Sequence, residues 1–268
     1  MAPSPSWARL AVASLGLVSV LTGARRSTPI PRYQAEQFEC SVWVQQIRSD
    51  LRTEAARSEK GQAGRDAVWS FRASVAADSV ALEGWFDSLV VWREIDGERQ
   101  APNTDGLIGG RYQGRLGPLG GFRLVSGPFI PEEIRPVADL SDAATDLFPL
   151  LPLSPLSVGV TLADSGRPAF TRLPDSVAQQ GRIQRYRLSR SRRIASTRRM
   201  QDTMTVRVEE EETENGVWTW DPAAGLLGWN RRVVVDLTIP AQGTLRRAVR
   251  TRVDQQISLV RAPGRSCP

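Results

Sequence analysis

Leu227-Gly228-Trp229-Asn230-Arg231-Arg232-Val233-Val234-Val235-Asp236-Leu237-Thr238-Ile239 places Leu227, Trp229, Val233, Val235, Leu237 and Ile239 at odd positions, interrupted only by Arg231. The next periodic stretch, Leu245 to Leu259, repeats the parity: Leu245, Val249, Val253, Ile257 and Leu259 are odd, and Arg246, Arg250, Arg252 and Asp254 are even. Side chains alternate faces along a strand, so these stretches predict two antiparallel strands with one buried and one wet face.

Working back, Trp218, Trp220 and Trp229 flank Asp221-Pro222-Ala223-Ala224-Gly225. A four-residue loop from Pro222 to Gly225 pairs Trp220 with Leu227 and Trp218 with Trp229, on the face of Val233, Val235 and Leu237. This makes Trp218, Trp220, Leu227 and Trp229 a core hairpin and not a sugar-binding platform. For Asn215-Gly216, a three-residue loop Glu214–Gly216 keeps Met204, Val206 and Val208 on the tryptophan face, which a two-residue turn does not. Eight arginines between Arg182 and Arg199 precede Glu209, Glu210, Glu211, Glu212 and Glu214, and on neighbouring strands these charges face each other.

In the first half, Phe38, Cys40, Val42 and Val44, then Trp69, Phe71, Ala73 and Val75, alternate as strands do. The polar stretch Leu51 to Ala63 reads as a long hairpin loop or as strand extensions. Val80 to Ile95 is a further strand, with a bulge or turn at Gly84 and a turn at Asp96-Gly97. The glycines of 101–130 lack any G-x-G-x-x-G or Gly-Lys-Ser/Thr pattern, so they mark short strands and tight turns and not a phosphate loop. Pro131 suits a helix start, and Ile134, Val137, Leu140, Ala144, Leu147 and Phe148 recur at helical spacing. Pro136 and Ser141 leave open whether this is one helix or two. The predicted fold is mainly β: a large curved antiparallel sheet or half-barrel with one amphipathic helical element at about 131–148 between two β-rich halves.

At the N-terminus, Arg9 precedes the apolar run Leu10–Leu21 and the small-residue site Thr22-Gly23-Ala24, which reads as an export signal. The run of about 12 residues is shorter than the roughly 20 a membrane-spanning helix needs. Arg25 and Arg26 directly after the site leave the cut itself open. Ala24 stands where a lipidated cysteine would be, so the chain is not expected to be a lipoprotein. The expected organisation is a signal peptide at 1–24, a flexible lead-in at 25–36, one β-rich domain at 37–262 and a tail at 263–268. The domain's halves, 37–130 and 156–262, are joined by the segment 131–149. The expected location is periplasmic or extracellular.

The chain of 268 residues contains no histidine, which removes Ser-His-Asp and Cys-His nucleophile systems and His-ligated zinc. Its two cysteines, Cys40 and Cys267, are a disulfide candidate in an oxidising compartment, with two unpaired thiols as the alternative. Too few for a thiolate metal centre, they leave no expected cofactor, metal site or catalytic residue. Among 35 basic residues only Lys60 is lysine, which points to codon bias and not to a nucleic-acid surface.

Pro152-Leu153-Ser154-Pro155-Leu156-Ser157-Val158-Gly159-Val160-Thr161-Leu162 and Trp220-Asp221-Pro222-Ala223-Ala224-Gly225-Leu226 resemble segments of uncharacterised exported β-rich bacterial proteins. Those proteins are similar to the half-barrels of lipoprotein carriers, which hold acyl chains against a concave sheet. Val160 and Leu162 depart from that pattern, standing where Asp and Trp are usual. The resemblance implies a non-enzymatic binding or envelope-associated protein whose partner is a hydrophobic small molecule, a lipid or an envelope protein. The alternatives are an envelope scaffold and a carboxylate-dependent hydrolase using Asp87, Glu94, Asp96 or Asp105 near Trp85, Phe86 and Trp92.

Overall fold

The computed structural model describes residues 30–268 except 56, 146, 164–165, 179–180, 201–203, 243–245, 265–266 and 268. The proposed signal peptide lies outside the described residues. Twelve strands form one open antiparallel sheet: β1 (Ser41–Glu54), β2 (Ser58–Ala76), β3 (Ser79–Ile95), β4 (Glu98–Gln100), β5 (Arg111–Leu116), β6 (Phe122–Ser126), β7 (Thr161–Leu162), β8 (Ala169–Ala178), β9 (Gly181–Met200), β10 (Met204–Asp221), β11 (Gly225–Ile239) and β12 (Val249–Arg261). The spatial order is β6-β5-β3-β2-β1-β12-β11-β10-β9-β8-β7, with β4 on β3. The first and last strands thus meet in the middle, Trp43 opposite Arg261 and Thr53 opposite Thr251, and join the two halves. The sheet does not close, since β6 and β7 are its edges.

Sequence parity sorts the two faces. Trp43, Trp69, Phe86, Leu259, Trp229, Trp218 and Tyr186 share one face, called the inner face, and all are buried. At the start of β1 the alternation is reset, because Phe38 ends a 3₁₀ turn (Ala35–Phe38) and Cys40 has φ 50°. As a result Trp43 points inward, whereas Val44 is 38% exposed on the other face. The polar stretch after Leu51 consists of strand extensions, since β1 and β2 stay paired out to Glu54 and Ser58.

Two predicted loops are corrected. No turn interrupts the chain at Asn215-Gly216, because β10 runs unbroken through both residues against β9 and β11. The parity argument survives for another reason: a continuous strand also keeps Val206, Val208, Trp218 and Trp220 together. At the tryptophan hairpin, Asp221 pairs with Gly225 and Trp220 with Leu226, and a bulge follows at Leu227. Leu226 is therefore the buried fourth member beside Trp218, Trp220 and Trp229, and Leu227 is only half-buried. The Asp221 carboxylate accepts the amides of Ala223 (2.8 Å) and Ala224 (2.9 Å), and Gly225 at φ 80° closes the shorter loop.

The expected helical element at 131–148 is instead a succession of hydrogen-bonded turns. Ile134 N–H donates to Pro131 (3.1 Å), Ala138 to Ile134 (2.9 Å) and Thr145 to Asp142 (2.9 Å). Pro136 has no amide to continue a helix and its ring would crowd the Glu132 carbonyl. Asp139 then takes both the amide (3.0 Å) and hydroxyl (2.6 Å) of Ser141, a local arrangement that competes with helical bonding. The apolar spacing nonetheless serves its purpose: Ile134, Val137, Leu140, Ala144, Leu147 and Phe148 are all buried in the same core as the inner-face aromatics. Phe148 meets the rings of Phe38 at 5.4 Å, Phe71 at 5.6 Å and Tyr33 at 5.9 Å. The chain between β6 and β7 is thus a plug over one end of the inner face.

A plug without regular structure leaves carbonyls to be satisfied. Tyr112 donates its hydroxyl to Leu140 O (2.8 Å) and Tyr33 donates to Pro149 O (3.0 Å). Tyr33 also donates its amide to Pro118 O (2.9 Å), so residues 30–36 are anchored by a buried ring and are not a free lead-in.

Burial raises the pKa of Tyr33, Tyr112 and Tyr186, the three tyrosines of the chain, above the ordinary value of 10.0, and Arg65 and Arg172 only partly offset it for the latter two. The unfolded chain loses these protons near pH 10 and the folded chain holds them, so the stability linked to these three groups is full below about pH 10 and is lost as pH rises beyond it. Near-ultraviolet phenolate absorbance should therefore appear together with loss of circular dichroism. A phenolate signal near pH 10 with the fold intact contradicts this.

Candidate functional site

Past the plug, the inner face changes from aromatic to charged and aliphatic. Register sets Arg190 opposite Glu214, Arg192 opposite Glu212, and Gly216 opposite Arg231. Arg190 lies 2.8 Å from both Glu212 and Glu214, Arg192 lies 2.6 Å from Glu212, and Arg231 lies 3.0 Å from Glu214. Glu214, Arg231 and Glu212 are only 4%, 8% and 9% exposed, whereas Arg190 and Arg192 are 32% and 46% exposed, so the buried carboxylates depend on the arginines around them to offset the cost of burial.

Arg231, the exception in the alternating pattern, has a place made for it. A Cβ on Gly216 would come within 3.1 Å of both the Arg231 Cβ and the Asn230 carbonyl oxygen, so the glycine lets β10 and β11 approach closely beside Arg231. The guanidinium then lies 4.6 Å from the centre of the Trp229 ring.

Where the plug meets β1, β2, β11 and β12 there is a cavity of about 310 Å³. Gln45, Ser49, Arg65, Asp139, Arg231 and Gln255 give it polar walls, and Ile47, Val137 and Ile257 apolar ones. Gln45 accepts the Trp69 indole N–H (3.0 Å), and Gln255 donates to the Ser49 hydroxyl (3.1 Å). The Asp139 carboxyl is held below its ordinary range, chiefly by the hydrogen bonds from Ser141 and more weakly by Arg135. Further from the plug, Leu51, Val253 and Val235 stand abreast on β1, β12 and β11. Val233, Leu237, Ile239 and Val249 share that face, and all seven are half-buried.

The carboxylates considered for hydrolysis are dispersed. Asp87 accepts the Ser70 hydroxyl, Asp105 lies in an exposed turn before β5, and only Glu94 and Asp96 share a groove, with Asp50 and Lys60. Among the described residues no group of three or more acidic or cysteine side chains could hold a metal ion. Cys40 precedes β1 and Cys267 follows β12, and their Cα atoms are 5.1 Å apart, a disulfide distance. The antiparallel pairing of β1 with β12 brings them together. Of the site residues, sequence reasoning missed Gln45, Ser49, Arg65, Asp139 and Gln255, and it set Glu212 and Glu214 against the arginines of 182–199 without placing them on the inner face. The signal was present in the even parity of the glutamates, but the turn placed at Glu214–Gly216 concealed it.

No family model matches the sequence, and no curated protein matches it. Among solved structures, the chain is similar to one titled as lipid–protein interactions in lipovitellin, at 9% identity and a TM-score of 0.47, over 86% of this chain and 26% of that one. It therefore spans about a quarter of the lipovitellin chain. A complex of MucB with MucA(peri) aligns at 10% identity and a TM-score of 0.18, over 82% of this chain and 89% of that one. Similarities at this level carry no argument about function.

Proposed function

We propose that the chain is an exported, non-enzymatic binding or envelope-associated protein that holds a hydrophobic or lipid ligand on the inner face of its sheet. The observation that carries this reading is the half-buried strip of Leu51, Val253, Val235 and Leu237, which continues from a cavity with mixed polar and apolar walls. Such a surface suits a ligand with an apolar tail and a polar end. The plug fills the aromatic end, which confines the ligand to the strip and the cavity beside it.

The test is titration of the full chain with dansyl-labelled undecanoic acid, alongside mass spectrometry of organic extracts of the purified protein. Val235→Asp places a charge on the strip and should weaken probe binding at least about tenfold, given the cost of burying an unpaired charge. Val260→Asp, on the opposite face where Val260 is 49% exposed, should leave binding unchanged. Absence of both probe uptake and extractable ligand, or equal effects of the two substitutions, overturns the reading.

A further inference from the structure

The outer face at the β6 edge carries a charge imbalance that the ligand-binding reading does not use. Arg72 on β2, Arg111 and Arg115 on β5, and Arg123 on β6 all lie on this face and are exposed. Arg115 stands directly opposite Arg123, a like-charge pair that costs stability. Glu83 is the acidic neighbour within this cluster, 4.0 Å from Arg111. Three arginines elsewhere on the outer face are matched in place, Arg48 with Asp66 at 2.8 Å, Arg252 with Asp236 at 3.0 Å, and Arg232 with Asp254. Trp85, 4% exposed, lies under two of the four, with the Arg111 guanidinium 3.8 Å and that of Arg72 5.5 Å from its ring centre.

This edge and the chain that leaves it expose apolar side chains. Val125, at a bulge in β6, is 70% exposed, and Phe129, just beyond the strand, is 77% exposed. Val125 also lines an open groove of about 410 Å³ with Arg72, Ser74 and Arg115. A cationic cluster alone suits any anion. Large exposed apolar groups beside it suit a surface that is anionic outside and apolar just beneath, which is the chemistry of a charged bilayer.

We propose that the β5–β6 edge is a docking surface for an anionic lipid bilayer, with Arg72, Arg111, Arg115 and Arg123 facing the headgroups and Val125 and Phe129 entering the interface. This is independent of the inner-face ligand, and the two can fail separately. The experiment is co-sedimentation of the full chain with vesicles of phosphatidylcholine alone and of phosphatidylcholine mixed with phosphatidylglycerol.

Binding to the mixed vesicles is expected to exceed binding to the neutral ones and to decline as salt screens the charges. Joint Arg115→Gln and Arg123→Gln substitution should weaken it about thirtyfold, from about fivefold per surface cation. Arg115→Lys with Arg123→Lys should restore it, and Phe129→Ser should cost about tenfold. Thermal midpoints of the variants are measured alongside, with uptake of the dansyl probe as the control for an intact inner face. Equal binding to the two vesicle types, binding to neither, or binding that both the glutamine and serine variants leave unchanged overturns the proposal.

Discussion

Trp218→Ala is expected to destabilise the fold by about 3–5 kcal/mol, the range for truncating a large buried aromatic side chain. Trp218 is 0% exposed, stacks on Tyr186 at 4.2 Å between ring centres and stands opposite Trp229. Neighbours on three strands would have to collapse to fill its space, and hydrogen-bonded strands cannot close that gap by sliding. Urea unfolding followed by circular dichroism measures the loss. The bulge supplies an internal comparison: Leu226→Ala, at 1% exposure, should cost about 2–5 kcal/mol, and half-buried Leu227→Ala clearly less. If Leu227→Ala proves the more costly, Leu227 and not Leu226 fills the core, and the hairpin register is wrong.

Replacing Cys40 and Cys267 together with serine is expected to cost up to about 5 kcal/mol. The residues are 227 apart in sequence, so a bond between them restricts nearly the whole unfolded chain. The pairing of β1 with β12 does not diminish this effect, because that contact exists only in the folded state. Urea midpoints with and without a reducing agent, and an intact mass lighter by the two thiol hydrogens, measure it. A midpoint that reduction does not move, with a mass showing both thiols free, would mean that the two sulfurs approach each other without bonding.

Trp218 and the Cys40–Cys267 pair illustrate how differently parts of the structure could be read from sequence. Trp218 could be placed because strand parity is a local property: alternation over a few residues already says which side chains share a face. The proximity of Cys40 and Cys267 depends on β1 meeting β12 across the length of the chain, which no local pattern encodes. The 131–148 segment lies between these cases. Its apolar spacing correctly marked which residues would be buried, but Pro136 and the Asp139–Ser141 bonds turned the backbone into turns. Burial pattern and backbone conformation are separate questions when a segment's stability comes from packing on a sheet.

The candidate site was less legible. Arg231 was visible as a break in an alternating strand, yet its roles against Trp229 and Glu214 need β10 beside β11 in one register. A turn at Asn215-Gly216 was chemically reasonable, since glycine there permits a turn as readily as a close approach. Only the tertiary contact with Arg231 distinguishes the two uses.

By itself, then, the sequence determined the mainly β character, the parity of the core aromatics, the absence of histidine chemistry and the arginine–glutamate complementarity. All of these follow from composition or from the two-residue period of a strand. Tertiary structure alone decided that the sheet stays open, that its first and last strands in sequence meet in its middle, and that an irregular plug fills one end of the inner face. Those outcomes depend on which distant strands pair and on side chains from separate elements filling one space. Neither choice is made within the span of residues over which a sequence pattern acts.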